Sequence, residues 1–160
     1  MPLNPIRRAQ LISPFGVGSL SVGRDGSIYL MGALDYWFDE NEASDKNVEI
    51  DIEEYRVEEW RLQRLLGVDG LRLPPDYRAN RSNGQQRVNL GLTVPVFRFP
   101  SWNVCPACGL LKDYPLTIKS KQKCPSCDKK GLIRYMTQVQ LIAMCENGHI
   151  QDFPWREWVH

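Results

Sequence analysis

Cys105-Pro106-Ala107-Cys108-Gly109 and Cys124-Pro125-Ser126-Cys127-Asp128 hold four of the chain's five cysteines in two Cys-Pro-x-Cys pairs, fifteen residues apart. Two residues between thiols let the backbone turn so tightly that both sulfurs face one ion, and two such turns complete a tetrahedron. The spacing is that of a zinc ribbon or a related treble-clef-type site, with Cys105, Cys108, Cys124 and Cys127 as ligands of Zn2+. Gly109 stands where such a turn needs a left-handed residue, and Asp128 is expected in the matching place. Four thiolates fill the coordination sphere, which leaves no position for activating water and makes the metal structural. Iron, an iron-sulfur cluster and a redox dithiol are the alternatives. Iron-sulfur proteins usually show other cysteine spacings, and redox pairs usually come singly.

The loop between the pairs carries Lys119, Lys121 and Lys123, and Lys129 and Lys130 follow the second pair. These lysines offset the double negative charge of a four-thiolate zinc centre, and the same rim is a candidate nucleic-acid contact together with Arg78 and Arg81. Further on, Cys145 and His149 form a Cys-x-x-x-His pattern that suits a zinc half-site, with His160 near in sequence. A buried cysteine beside a hydrogen-bonded turn histidine is the plainer reading. A Cys-His nucleophile dyad lacks an assignable orienting residue or oxyanion motif.

Outward from these motifs, the chain is 160 residues long and 42% hydrophobic, enough for one modest core or a small core with a metal-stapled appendage. No run of about 18 apolar residues occurs, and the N-terminus lacks a signal-type apolar block, so a soluble, cytoplasmic protein with no membrane partner is expected. Paired cysteines without an export signal favour metal over disulfides. The net charge of +1 conceals segregation. Residues 35–60 hold eleven carboxylates against Lys46 and Arg56, whereas Arg61–Arg98 has seven arginines and two aspartates. Segment charge, not overall pI, is what a polyanion feels.

Leu20–Met31 reads as a hairpin turning at Asp25-Gly26. Gly16 and Gly18 ahead of it make a weak phosphate-cradle pattern or a simple tight turn. Residues 39–51 read as an acidic solvated loop, Ile52–Leu66 as the main helix stopped by Gly67, and 72–89 as an irregular exposed connection. Val94–Phe99 returns to extended structure, and Pro95 and Pro100 favour an edge position over a central one. Leu132–Met136 and Val139–Met144 are β-like, and Pro154 opens a short terminal helix. That end puts Phe153, Trp155 and Trp158 into six residues. A terminal turn has little core against which to bury them, so they are candidate partner-binding residues.

Two longer stretches carry a resemblance. Residues 7–37, from Arg7-Arg8-Ala9-Gln10 through Ser13-Pro14-Phe15-Gly16-Val17-Gly18 to Leu34-Asp35-Tyr36-Trp37, resemble the start of the DrmB family, a subunit of the bacterial DISARM anti-phage system with a helicase-associated domain. Arg98-Phe99-Pro100-Ser101-Trp102 and the long segment from Cys145-Glu146-Asn147-Gly148-His149 to Trp158-Val159-His160 are similar to the same family, as are Leu66-Gly67-Val68 and Leu73-Pro74-Pro75-Asp76. The resemblance implies a non-enzymatic partner of a helicase-like subunit that helps it engage DNA. Family members are several times longer, so a separate chain carrying the larger C-terminal domain is a further expected partner.

The expectation is therefore an α+β protein: a small β-rich N-terminal body with one main helix over residues 1–100, then a zinc-ribbon-like module over 101–160. Its expected role is a zinc-binding, DNA-engaging subunit of a defence complex and not an enzyme. The alternative is a protein-binding scaffold with a structural zinc and no nucleic-acid contact.

Overall fold

In the computed structural model, which describes residues 6–38, 49–78 and 88–159, regular structure comes in short pieces. The strands are β1 (Leu20–Val22), β2 (Ile28–Met31), β3 (Arg56–Val57), β4 (Leu71–Arg72), β5 (Val96–Arg98), β6 (Trp102–Val104), β7 (Leu111–Asp113), β8 (Thr137–Gln138), β9 (Ile142–Met144) and β10 (Ile150–Asp152). The helices are α1 (Trp60–Leu66), α2 (Pro125–Asp128) and α3 (Trp155–Val159), and 3-10 turns add Arg8–Leu11, Leu34–Tyr36 and Glu53–Tyr55. The fold is mixed α+β, and the described residues form four small sheets ordered β1-β2-β5, β3-β4, β7-β6-β8 and β9-β10. None of the helices among the described residues is long and apolar enough to cross a membrane. The chain divides into two compact units, residues 1–19 with 31–95 and residues 20–30 with 96–160.

The first unit has a small apolar core of Leu11, Met31 and Trp37, against which Phe15, Phe38 and Val94 pack. The Trp37 indole N–H donates to the Gly32 carbonyl at 3.0 Å, so the ring is buried without leaving its polar atom unpaired. Beside it stands a polar network. The Tyr55 hydroxyl donates to Asp76 at 2.8 Å, Arg8 pairs with the same carboxylate at 2.8 Å, and Arg78 bridges Asp76 at 3.1 Å and Glu54 at 2.7 Å. Asn89 is fully buried and closes the set, donating to Glu54 at 2.6 Å and to the Asp51 carbonyl at 2.9 Å. It also accepts from the Asp51 N–H at 2.8 Å.

That network shortens the expected helix. Only Trp60–Leu66 is helical, capped by the Glu59 side chain and ended by left-handed Gly67. Upstream, Tyr55 is drawn into the core and Arg56–Val57 pairs antiparallel with Arg72–Leu71, so cross-strand pairing overrides helical periodicity. Glu53 and Glu54, at the start of that expected helix, pair with Arg56, Arg72 and Arg78. None of the residues of α1 is buried. The connection expected to be exposed departs in the same way, because Pro74 and Pro75 are buried. Most of the acidic loop 39–51, residues 79–87 of that connection and His160 lie outside the described residues. Gly16 and Gly18 form a turn that leads into a strand and not into a helix, which leaves the phosphate reading without its structural context.

In the second unit the hairpin forms as its sequence predicts, pairing Leu20 with Leu30 and Val22 with Ile28 around left-handed Gly26. β5 adds at the sheet edge. Strands of two to four residues make few ladder bonds, and side chains supply the remainder. The Gln138 amide accepts from the Ile28 N–H at 2.7 Å and donates to the carbonyls of Ile28 at 3.2 Å and Pro100 at 3.0 Å, tying β8 to β2. Asp152 accepts from the Ser101 N–H at 2.8 Å and hydroxyl at 2.7 Å, which fixes β10 beside the start of β6. Leu132–Met136, expected as a strand, makes only the Tyr135–Lys123 bridge, because this stretch wraps the cysteine cluster and buries Met136 in it.

The Asp76 network makes an acid-sensitive joint. Burial raises the Asp76 carboxyl, but hydrogen bonds from Tyr55, Arg78 and Arg8 outweigh it and hold the group below its ordinary value. Bonds from Arg78 and Asn89 hold Glu54 low as well. Burial, followed by the bond to Asp76, pushes the Tyr55 hydroxyl up to about 12. A carboxylate depressed in the folded state contributes stability above its unfolded value, near pH 4, and loses it as pH falls through the folded value. Wild-type urea midpoints are therefore expected to drop between about pH 5 and pH 2. Asp76→Asn is expected to cost about 1–2 kcal/mol at pH 7 and to flatten that drop, which parallel denaturation series would measure.

Candidate metal centre

Cys105 directly follows β6, whose hairpin partner β7 begins at Leu111. The Cys105 N–H donates to the Leu110 carbonyl at 2.9 Å, and the Gly109 N–H donates back to the Cys105 carbonyl at 2.9 Å. This closure requires Gly109 at φ 72°, the left-handed place its position in the sequence predicts. The second pair is built differently. Cys124 precedes α2, with Pro125 in the first helical turn, and the Asp128 N–H donates to the Cys124 carbonyl at 3.0 Å. Asp128 is thus helical, and the left-handed residue that ends this turn is Gly131 at φ 72°. The Leu132 N–H, donating to the Cys127 carbonyl at 3.0 Å, then folds the chain back over the site.

These turns bring all four sulfurs within 4.8 Å of one another. Cys105 and Cys127 are 3.8 Å apart and Cys108 and Cys124 3.5 Å. Sulfurs 2.3 Å from a tetrahedral centre are separated by about 3.8 Å, so the cluster has the size of one four-thiolate metal site. Cys105, Cys124 and Cys127 are buried with Met136, under Leu110 and Tyr114, while Cys108 faces solvent. Burial raises the Cys105 thiol, but the backbone N–H groups of Cys108 and Ala107, with the neighbouring thiols, bring it below its ordinary value. Cys127 is pushed the other way, by burial and then by the adjacent thiols. The neighbouring thiols thus act on Cys105 and Cys127 in opposite directions, and a cation held by the set would offset the charge of its thiolates. The donor set therefore fits a soft or borderline metal ion.

The remaining candidates fall in separate places. Lys119, Lys121, Lys123, Lys129 and Lys130 are all exposed around the cysteine module, and Lys121 donates to the Asp25 carbonyl at 2.7 Å. Arg78 belongs to the first unit, with its guanidinium engaged by Asp76 and Glu54, and Arg81 lies outside the described residues. Cys145 is exposed, contrary to the expectation of a buried cysteine, and its sulfur lies 3.3 Å from Nδ1 of the equally exposed His149. Phe153, Trp155 and Trp158 cluster with ring centroids 4.6 to 6.4 Å apart; Trp155 is half-buried and Trp158 is 70% exposed. Sequence reasoning missed a cavity of about 120 Å³ lined by, among others, Asp25, Arg98, Ser101, Asn103, Tyr114 and Lys121. No spacing rule marks these residues, which come from separate strands and loops.

Metal removal is the direct check on the cysteine cluster. Treating the protein with a strong chelator is expected to lower the thermal midpoint of the second unit by more than about 10 °C. Cys124→Ser is expected to reproduce that drop and abolish further response to chelator, since structural metal sites contribute roughly 10 kcal/mol or more to folding in small zinc peptides. Calorimetry with and without chelator measures both.

The DISARM protein DrmB of Bacillus paralicheniformis is 30% identical to this chain over 78 residues, a match covering 42% of the chain and only 12% of that much longer protein. The match to the family described as a domain of unknown function, DUF8724, runs over residues 7–160 and so takes in both units and all five cysteines. The chain belongs to the DUF8724 family.

Proposed function

We propose that this chain is a non-enzymatic module of a bacterial anti-phage defence complex of the DISARM kind, stabilised by one structural Zn2+ and helping a helicase-like partner engage DNA in the cytoplasm. The observation that carries the reading is the similarity to the DISARM protein DrmB. Zinc suits the cysteine cluster because it favours four thiolates at the corners of a tetrahedron and has no redox chemistry to endanger them. A closed set of four thiolates leaves no open position for substrate, which supports a scaffolding and not a catalytic metal. Free thiols throughout agree with a reducing compartment.

DNA contact falls to the lysine rim. Its five ammonium groups stand exposed around a rigid metal-held fold, where they can neutralise phosphates without reading sequence. Arg78 is left out of this surface, since its charge is already matched internally. A second reading rests on Trp158 and Val159, both more than two-thirds exposed at the end of the aromatic cluster. A large exposed aromatic beside a half-buried one is a typical anchor for a protein partner.

Two measurements separate these readings. If the rim binds DNA, duplex affinity falls steeply with salt, and replacing Lys119, Lys121 and Lys123 together with Ala lowers the log–log slope by about 0.9 for each phosphate no longer neutralised, equally for all sequences. Binding that ignores salt, or a triple variant with an unchanged slope, removes DNA from the reading. If the aromatic end is the anchor, Trp158→Ala weakens capture of the helicase-like subunit at least tenfold while zinc, measured by elemental analysis, stays at one per chain. Undiminished capture would assign Trp158 to the surface of this domain alone.

A further inference from the structure

The hairpin β9–β10 repeats the construction of the hairpin β6–β7 that holds the first cysteine pair. In each, a three-residue strand ends directly at a cysteine: Val104 before Cys105, Met144 before Cys145. In each, the cysteine N–H closes the loop onto the last loop residue, Leu110 at 2.9 Å in one and His149 at 3.1 Å in the other. In each, a left-handed glycine donates its N–H back to the cysteine carbonyl: Gly109 at φ 72° and 2.9 Å, Gly148 at φ 79° and 3.0 Å. The second loop is one residue shorter, so its other donor side chain comes after the glycine and not before it, at His149.

We propose that Cys145 and His149 are a second metal half-site, which takes a borderline divalent cation of the Zn2+ class through the Cys145 thiolate and His149 Nδ1. A tetrahedral zinc with sulfur at 2.3 Å and nitrogen at about 2.0 Å sets these donors about 3.5 Å apart. They stand 3.3 Å apart with no rearrangement of the loop. Binding releases the thiol proton to solvent and directs the neutral imidazole lone pair at the metal. The supporting hairpin is anchored, because Asp152 at its end is held by both the N–H and the hydroxyl of Ser101. Both donors are exposed, so two coordination positions face outward, held by water in the isolated protein and open to donors from a binding partner. That separates this site from the closed four-cysteine cluster, which has no such positions. The inference does not depend on the defence reading.

The test is titration of Co2+ into the full chain with the four-cysteine cluster already loaded with zinc, which cobalt does not displace because it binds thiolates more weakly. One equivalent of Co2+ is expected to bind with a thiolate-to-cobalt charge-transfer band. Cys145→Ser is expected to abolish the band and His149→Ala to weaken binding at least tenfold, with zinc unchanged at one per chain in both variants. Because both residues are exposed, unchanged zinc and thermal midpoint establish that the variants fold. Absence of the band up to millimolar Co2+ would overturn the proposal and leave a hydrogen-bonded turn. A band that survives Cys145→Ser would equally overturn it, since the thiolate would then come from elsewhere.

Discussion

Four sulfurs held within 4.8 Å of one another constrain the second unit more than any other feature. Its strands are two to four residues long, and the buried cluster that the cysteines form adds only Met136 as a fully buried apolar side chain. So small a core supplies little hydrophobic stabilisation, and small domains compensate with a cross-link. Burial raises both Cys105 and Cys127; adjacent thiols push Cys127 further up, while backbone N–H groups and neighbouring thiols bring Cys105 below its ordinary value. A cation would offset the charge of the ionised set. With one, the same crowding becomes the bond that joins a hairpin turn to a helical turn.

Elsewhere the protein replaces long ladders with side-chain bridges. Gln138 makes three bonds to backbone groups, each of which a longer strand would have satisfied itself. Asp152 does the same for Ser101. In the first unit Asp76 accepts from three residues, Arg8, Tyr55 and Arg78, and so joins the N-terminal turn to the segment around β3 and β4. Such joints are directional, and breaking one leaves partners unpaired in a low-dielectric setting. Both units thus rely on side-chain bridges, which in the first stand beside an apolar core and in the second beside the thiol cluster.

On the proposed reading, this division matters for function. Lys119, Lys121, Lys123, Lys129 and Lys130 are exposed in the unit that carries the thiol cluster, where their charge would offset the net negative charge of the metallated set. Several arginines, in contrast, are paired within the chain: Arg8 and Arg78 with Asp76, Arg72 with Glu53, and Arg98 with Ser27 and Asp25. The acidic and basic runs that look like opposed surfaces in the sequence therefore partly neutralise each other within the fold.

Local chemistry alone determined several elements. The cysteine spacing set the composition of the thiol cluster, Asp25-Gly26 the hairpin, Gly109 and Gly67 the turns that end where they stand, and Pro154 the short terminal helix. Each depends on residues within a few positions of one another, or on a motif whose geometry is nearly invariant. Tertiary structure decided what periodicity could not. The helix expected from Ile52 lost its first half because Tyr55 found Asp76 and Arg56 found a strand partner, both distant in sequence. Asp128 became helical because the second cysteine pair lies on α2, not on a hairpin. Arg78 turned inward, and Cys145 outward, for reasons set by neighbours that no local pattern names. Burial and charge pairing are properties of the assembled chain, and a residue's type limits its partners without choosing among them.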